Sequence, residues 1–122
     1  MIFVGNDIVE ISRIDALLKK YKTHFLNKIF SKDEINIVSN KLHTSVHLSG
    51  KFAAKEASKK ALMSAGFSNI YLKNIEVLNK KNGAPYIVVR DCNRLKNTDN
   101  LQLSISHTNE YATAIVILDI PN

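Results

Sequence analysis

The chain has no tryptophan, one cysteine, two prolines and four glycines among its 122 residues. A lone thiol, Cys92, excludes an intrachain disulfide and gives no support to a thiolate metal cluster. Nothing around Cys92 signals activation, so it reads as a structural thiol. No low-complexity run interrupts the sequence, and no linker or internal repeat divides it. Apolar runs such as Ala112 to Leu118 are far too short to span a bilayer as a helix. The opening Met1-Ile2-Phe3-Val4, followed by polar Asn6-Asp7, lacks the basic segment and small-residue cleavage site of a secretory signal, which favours the cytoplasm. Also absent are an arginine-rich tail and aromatic residues interleaved with arginine, the marks of a face that binds single strands.

Hydrophobic residues make up 45% of the chain, enough for one core, and the whole of 1–122 reads as a single domain. The formal charge is +6, with basic residues denser over 13–28 and 51–60. Such a surface attracts phosphates, acidic proteins, nucleic acid or anionic membrane, and charge alone does not choose among them.

Residues 2–11 read as a strand. Ser12 with Asp15 resembles a capping box, and Ile14, Leu17, Leu18, Tyr21 and Phe25 then recur at helical spacing. Ser31 with Glu34 signals a second, shorter helix through about Asn40. A third helix, rich in Ala, Lys, Leu and Ser, runs from about Ser45 to Ala65. Gly66 stands at its left-handed stop, and Ala54, Ala57, Ala61 and Ala65 permit close packing. Short strands follow at 74–78 and 86–90 around the turn 80–85. Leu101, Leu103 and Ile105 alternate with Gln102, Ser104 and Ser106 in a half-buried strand, 107–110 form a loop, and 111–120 is a last apolar strand. Helices early and antiparallel strands late predict an α+β domain, helices packed on a mostly antiparallel sheet.

Strand alternation puts Phe3, Gly5, Asp7 and Val9 on one face, so the Asp7 carboxylate shares a face with core residues and needs a compensating metal, cation or donor. Taken alone, an Asp after Gly-Asn at a strand end is more often a turn residue. Phe52, Glu56 and Lys60 lie at i, i+4 and i+8 on the third helix, either a surface Glu–Lys pair or the border of a cleft. Ser106 and His107 point to opposite faces of a strand, which argues against a nucleophile–base pair, and no metal-ligand spacing links His24, His43 and His47. Gly83-Ala84-Pro85 is a turn whose sparse side chains would let a flat ligand lie against the backbone.

Taken in order, Gly5-Asn6-Asp7-Ile8-Val9-Glu10-Ile11, Phe30-Ser31-Lys32-Asp33-Glu34, Phe52-Ala53-Ala54-Lys55-Glu56-Ala57, Gly83-Ala84-Pro85, Ser104-Ile105-Ser106-His107 and Tyr111-Ala112-Thr113-Ala114 resemble the holo-[acyl-carrier-protein] synthases, from about residue 2 to 118. The resemblance implies transfer of 4′-phosphopantetheine from coenzyme A to a serine of apo acyl carrier protein, releasing adenosine 3′,5′-bisphosphate, in support of fatty acid biosynthesis. It implies Mg²⁺ held by Asp7 and Glu56, which fits a hard cation satisfied by one or two carboxylates plus phosphate and water. Lys60 then stabilises phosphate charge, with a share in protonating the leaving group. A metal-bound or Glu56-held water is the first candidate for the base, and Asp7 the second. Lys41, Lys51, Gly83, Pro85, Ser106 and His107 match coenzyme A contacts, Lys51 where an arginine is usual; Arg13, Lys20 and Lys28 match a helix that docks the acidic carrier. A homotrimer with coenzyme A between subunits is also implied, with no nucleic-acid or membrane partner. Two other function classes compete: a non-catalytic basic module that binds nucleic acid or an acidic protein, and a metal-dependent phosphohydrolase.

Overall fold

A computed structural model describes residues 1–39, 41–96 and 99–121. Strand β1 (Ile2–Glu10) leads into helix α1 (Ile11–Ile29), then α2 (Lys32–Ser39) and α3 (Thr44–Ser64). A 3₁₀ turn at Leu72–Asn74 precedes the strands β2 (Ile75–Asn79), β3 (Pro85–Val89), β4 (Asn100–His107) and β5 (Tyr111–Asp119). The α+β expectation holds, with the strands divided between two antiparallel sheets, β1-β5-β4 and the hairpin β2-β3.

In the larger sheet Asp7 pairs with Ala114 and Val9 with Ala112, while Ile105 and His107 face the same two alanines from β4. The inner face therefore carries Phe3, Gly5, Asp7 and Val9 of β1 beside Ala112, Ala114, Val116 and Leu118 of β5. Helix α3 lies on that face through Ala53, Ala54, Ala57 and Ala61, all fully buried. Gly5 is what permits the approach: a Cβ built there would stand 1.9 Å from the carbonyl oxygen of Ala57 and 2.8 Å from the amide nitrogen of Ala61. The neighbours are helix backbone, which cannot rotate aside. Gly5→Ala is expected to lower unfolding free energy by about 1–3 kcal/mol, the usual range for overpacking. Urea denaturation checks this, and an unchanged midpoint would show that helix and strand are not in close contact.

The Ser31–Glu34 capping box forms: the amide of Ser31 donates to Glu34 Oε1 at 3.0 Å and the amide of Glu34 to Ser31 Oγ at 3.2 Å. The box expected at Ser12 and Asp15 does not. The amide of Ile11 is already bonded to the Glu110 carbonyl, so α1 starts directly from β1 with Glu10 as its cap residue and no side-chain cap. Asp15 instead accepts from Ser45 Oγ at 2.8 Å and pairs with Lys19, tying α1 to α3. Helix α1 also breaks at Lys22 (φ 38°, ψ −107°), which turns Tyr21 out of the expected apolar stripe and leaves it 46% exposed. Gly66 takes the positive φ expected at the stop of α3. His107 ends β4 and is not in the following loop, and the expected end of α2 at Asn40 falls outside the described residues.

Candidate active site

The β1–α3 contact builds the site. Asp7 projects from the inner face of β1, and Phe52 and Glu56 project from successive turns of α3. Together with Ile8, Val9, Glu10, Arg13 and Tyr111 they line a cleft of 300 Å³. Lys60, one turn beyond Glu56, donates to Asp7 Oδ1 at 3.2 Å and to the carbonyl oxygen of Asn6 at 2.9 Å. Glu56 has no hydrogen bond or ion pair among the described residues. Both readings left open for Asp7 are thereby decided in favour of a compensated inward carboxylate, and Glu56 borders a cleft. Its lysine neighbour turns to Asp7 instead. The donor set suits magnesium, since two carboxylates share one opening and the second oxygen of Asp7 is not used by Lys60. Asn6 lies on the other face of β1, and its carbonyl accepts from Lys60.

A second group lies at the start of α3. Lys41, His47, Lys51 and Asn79 line a 90 Å³ cavity with Ile37 and Val38, and the charges of His43 and His107 are felt at His47. Burial first, then the repulsion of Lys41 and His107, holds the His47 imidazole below its usual range. Lys51 is more committed than the sequence suggested. Its ammonium is buried and donates to the Val77 carbonyl and to Asn79 Oδ1, so it reaches this cavity from within the wall. Burial pushes it down from 10.5 to about 8. In the window between those values the unfolded chain keeps a proton that the folded chain has lost, so stability rises with pH there. Wild type should therefore gain on Lys51→Met by up to about 3 kcal/mol between pH 8 and 10.5, at 1.36 kcal/mol per unit. Urea unfolding of both proteins across that range checks this; a constant difference would mean the ammonium is not desolvated.

Of the remaining candidates, Arg13 lines the Asp7 cleft and Ser106 an adjoining groove that Asp7 also borders. Ser106 lies opposite Thr113 and lines a second, 480 Å³ groove that Asp7 and Lys60 share, with Asn6 and Ile115. His107 faces the α3 side at the end of β4, its Nδ1 3.3 Å from the Thr108 carbonyl oxygen. Gly83 (φ +91°) and Pro85 close the β2–β3 hairpin, where Asn79 Nδ2 donates to the Gly83 carbonyl at 3.0 Å. Arg13 joins the cleft, while Lys20 and Lys28 are exposed on either side of the break in α1.

A polar core beneath the site escaped the sequence reading. Lys55, fully buried beside Glu56, pairs with Glu34 and donates to the Ile75 carbonyl; Glu34 Oε2 accepts from the amide of Val77 at 3.0 Å. Glu76 alongside is bonded by Arg90 and, at 2.7 Å, by Ser31. Burial would raise the Glu76 carboxyl, but the Ser31 and Arg90 bonds outweigh it and hold the group below its usual range. The available signal was the position of Lys55, three residues before the buried Ser58 and seven after the buried Leu48, on the core stripe of α3.

Compared with known proteins, residues 3–116 match the sequence model of the 4′-phosphopantetheinyl transferase superfamily. The chain belongs to this family. A holo-[acyl-carrier-protein] synthase of Protochlamydia amoebophila is 43% identical over 115 residues, covering 93% of this chain and 94% of that one. Another, of Halothermothrix orenii, is 39% identical over 93% of this chain and 94% of its own length. Among solved structures, the Chronobacterium ammoniagenes ACPS–CoA complex superposes with a TM-score of 0.86 at 27% identity, covering 100% and 99% of the two chains. The Helicobacter pylori holo-[acyl-carrier-protein] synthase in complex with coenzyme A gives 0.79 at 32% identity, covering 95% and 99%. The transferase fold thus extends over the whole chain, and its β1–α3 contact carries the Asp7–Glu56 cleft.

Proposed function

We propose that this chain is a cytoplasmic holo-[acyl-carrier-protein] synthase. It moves the 4′-phosphopantetheine arm of coenzyme A onto a serine of apo acyl carrier protein, with magnesium, and releases adenosine 3′,5′-bisphosphate to serve fatty acid biosynthesis. The observation that carries this reading is the convergence of Asp7 and Glu56 on one cleft, with Lys60 against Asp7, in a member of this transferase family.

Asp7 and Glu56 would hold the magnesium, which neutralises charge on the pyrophosphate and orients it. The serine oxygen forms a bond to the phosphorus bearing the pantetheine arm as the bond from that phosphorus to the adenosine-phosphate oxygen breaks. Glu56, without an ion-pair partner among the described residues, accepts the serine proton through a water. Lys60 stabilises charge on the departing phosphate. Lys41, Lys51 and His107 favour the nucleotide's phosphates, and the Gly83–Pro85 turn and Ser106 complete its contacts. Arg13 at the cleft rim, with exposed Lys20 and Lys28, suits the approach of an acidic carrier. Raising salt should weaken use of the carrier more than use of coenzyme A, measured as separate KM values.

The scatter of these contacts over two faces of one chain favours a homotrimer with coenzyme A between subunits. So does the apolar outer face of the β1-β5-β4 sheet, where Val4, Ile8, Ile115 and Ile117 are exposed. A monomeric mass in solution would remove that part of the reading. Incubation with coenzyme A, Mg²⁺ and a cognate apo carrier should add the phosphopantetheine mass to the carrier. No transfer by folded protein sinks the proposal, and salt-sensitive nucleic-acid binding without coenzyme A affinity would replace it with a basic binding module.

A further inference from the structure

Lys60 occupies a position that phosphate stabilisation alone does not explain. Its ammonium is aimed at the strand, bonded both to the Asn6 carbonyl and to Asp7 Oδ1. The Asp7 side chain is 17% exposed and fixed by the sheet, whereas that of Lys60 is 54% exposed at the end of a flexible stem, so the lysine is the member free to move. Around the pair, the cleft adds Glu10, Glu56 and Arg13. Three carboxylates thus face two cations, leaving one net negative charge to receive a divalent ion.

We propose that Lys60 and a divalent cation compete for Asp7, so that the cation binds weakly by itself and strongly only together with a phosphate substrate that attracts the Lys60 ammonium. The inference rests on the magnesium reading above. A doubly charged ion about 5 Å from an ammonium is repelled enough to lose about tenfold in affinity even at the dielectric of water. The phosphates of coenzyme A reverse that repulsion by giving both cations a shared counter-ion. Lys60 thereby becomes a selectivity element: it disfavours bare metal and favours metal with nucleotide.

Calorimetric titration of the full chain with MgCl₂, with and without coenzyme A, tests this at low ionic strength. Lys60→Met is expected to bind Mg²⁺ alone about tenfold tighter than wild type and to gain less from coenzyme A. Lys60→Arg keeps the charge and should stay close to wild type. Circular dichroism and melting confirm that each variant is folded, with Lys60→Gln as a second neutral replacement. Equal or weaker Mg²⁺ binding by folded Lys60→Met or Lys60→Gln without coenzyme A overturns the competition. Asp7→Asn tests the underlying site separately: lost metal binding supports it, whereas retained binding sinks the magnesium reading and this inference with it.

Discussion

Asp7→Ala is expected to reduce phosphopantetheine transfer about a thousandfold while leaving the protein folded. A bound divalent cation supplies several kcal/mol of charge stabilisation, and each 1.36 kcal/mol is tenfold in rate. The carboxylate carries little of the fold. Among the described residues its side chain pairs with the exposed Lys60, a contact worth about 1 kcal/mol at most. Glu56→Ala should behave alike, since alanine is the best helix former and Glu56 has no partner among the described residues to orphan. Because the two act as one site, the double variant should be little worse than either single one. Mass spectrometry of the carrier over time gives the rate, and thermal melting gives the fold. Activity within tenfold of wild type in both single variants would remove the metal assignment.

Lys55→Ala should have the largest effect on stability, a loss of about 3–5 kcal/mol, the range for breaking a buried ion pair from one side. Lys55 and Glu34 are both fully buried. Removing the lysine strands a carboxylate in the interior and leaves the Ile75 carbonyl without its ammonium donor. Glu34→Ala does comparable damage, since Glu34 also accepts from the amides of Ser31 and Val77. The loss is a large share of a stability of about 5–15 kcal/mol. Lys55→Met combined with Glu34→Leu should be less destabilising than either alanine variant, because no charge is left unpaired. Urea unfolding of the three proteins decides it; additive losses would show that the pair is not coupled.

What could be read from the sequence was whatever leaves a local period. The inner face of β1 follows from alternation, which places Asp7 among Phe3, Gly5 and Val9. The Ser31–Glu34 cap and the Gly66 stop follow from local chemistry of a few residues. The Ser12 box failed because a long-range bond, Ile11 to Glu110, fixed the helix start first. The break at Lys22 has no proline or glycine to announce it, so helical spacing alone puts Tyr21 on the apolar stripe. Convergence of Asp7 with Glu56 across 49 positions, and of Lys55 with Glu34, depends on how α3 crosses the sheet, which no spacing along the chain encodes. Family resemblance supplied the first of these pairs and left the second unseen.

Strand β5 lies between β1 and β4, so the middle of the larger sheet comes from residues 111–119. During synthesis β1 leaves the ribosome before the other strands but finds its partner β5 about a hundred residues later. A nascent chain that ends before Tyr111 holds β1 and β4 without the strand that joins them, with the alanine face of α3 waiting for half its floor. Completion is therefore abrupt: a single late strand joins both strands, closes the floor beneath α3 and, by pairing Asp7 with Ala114, sets the Asp7 carboxylate in its row.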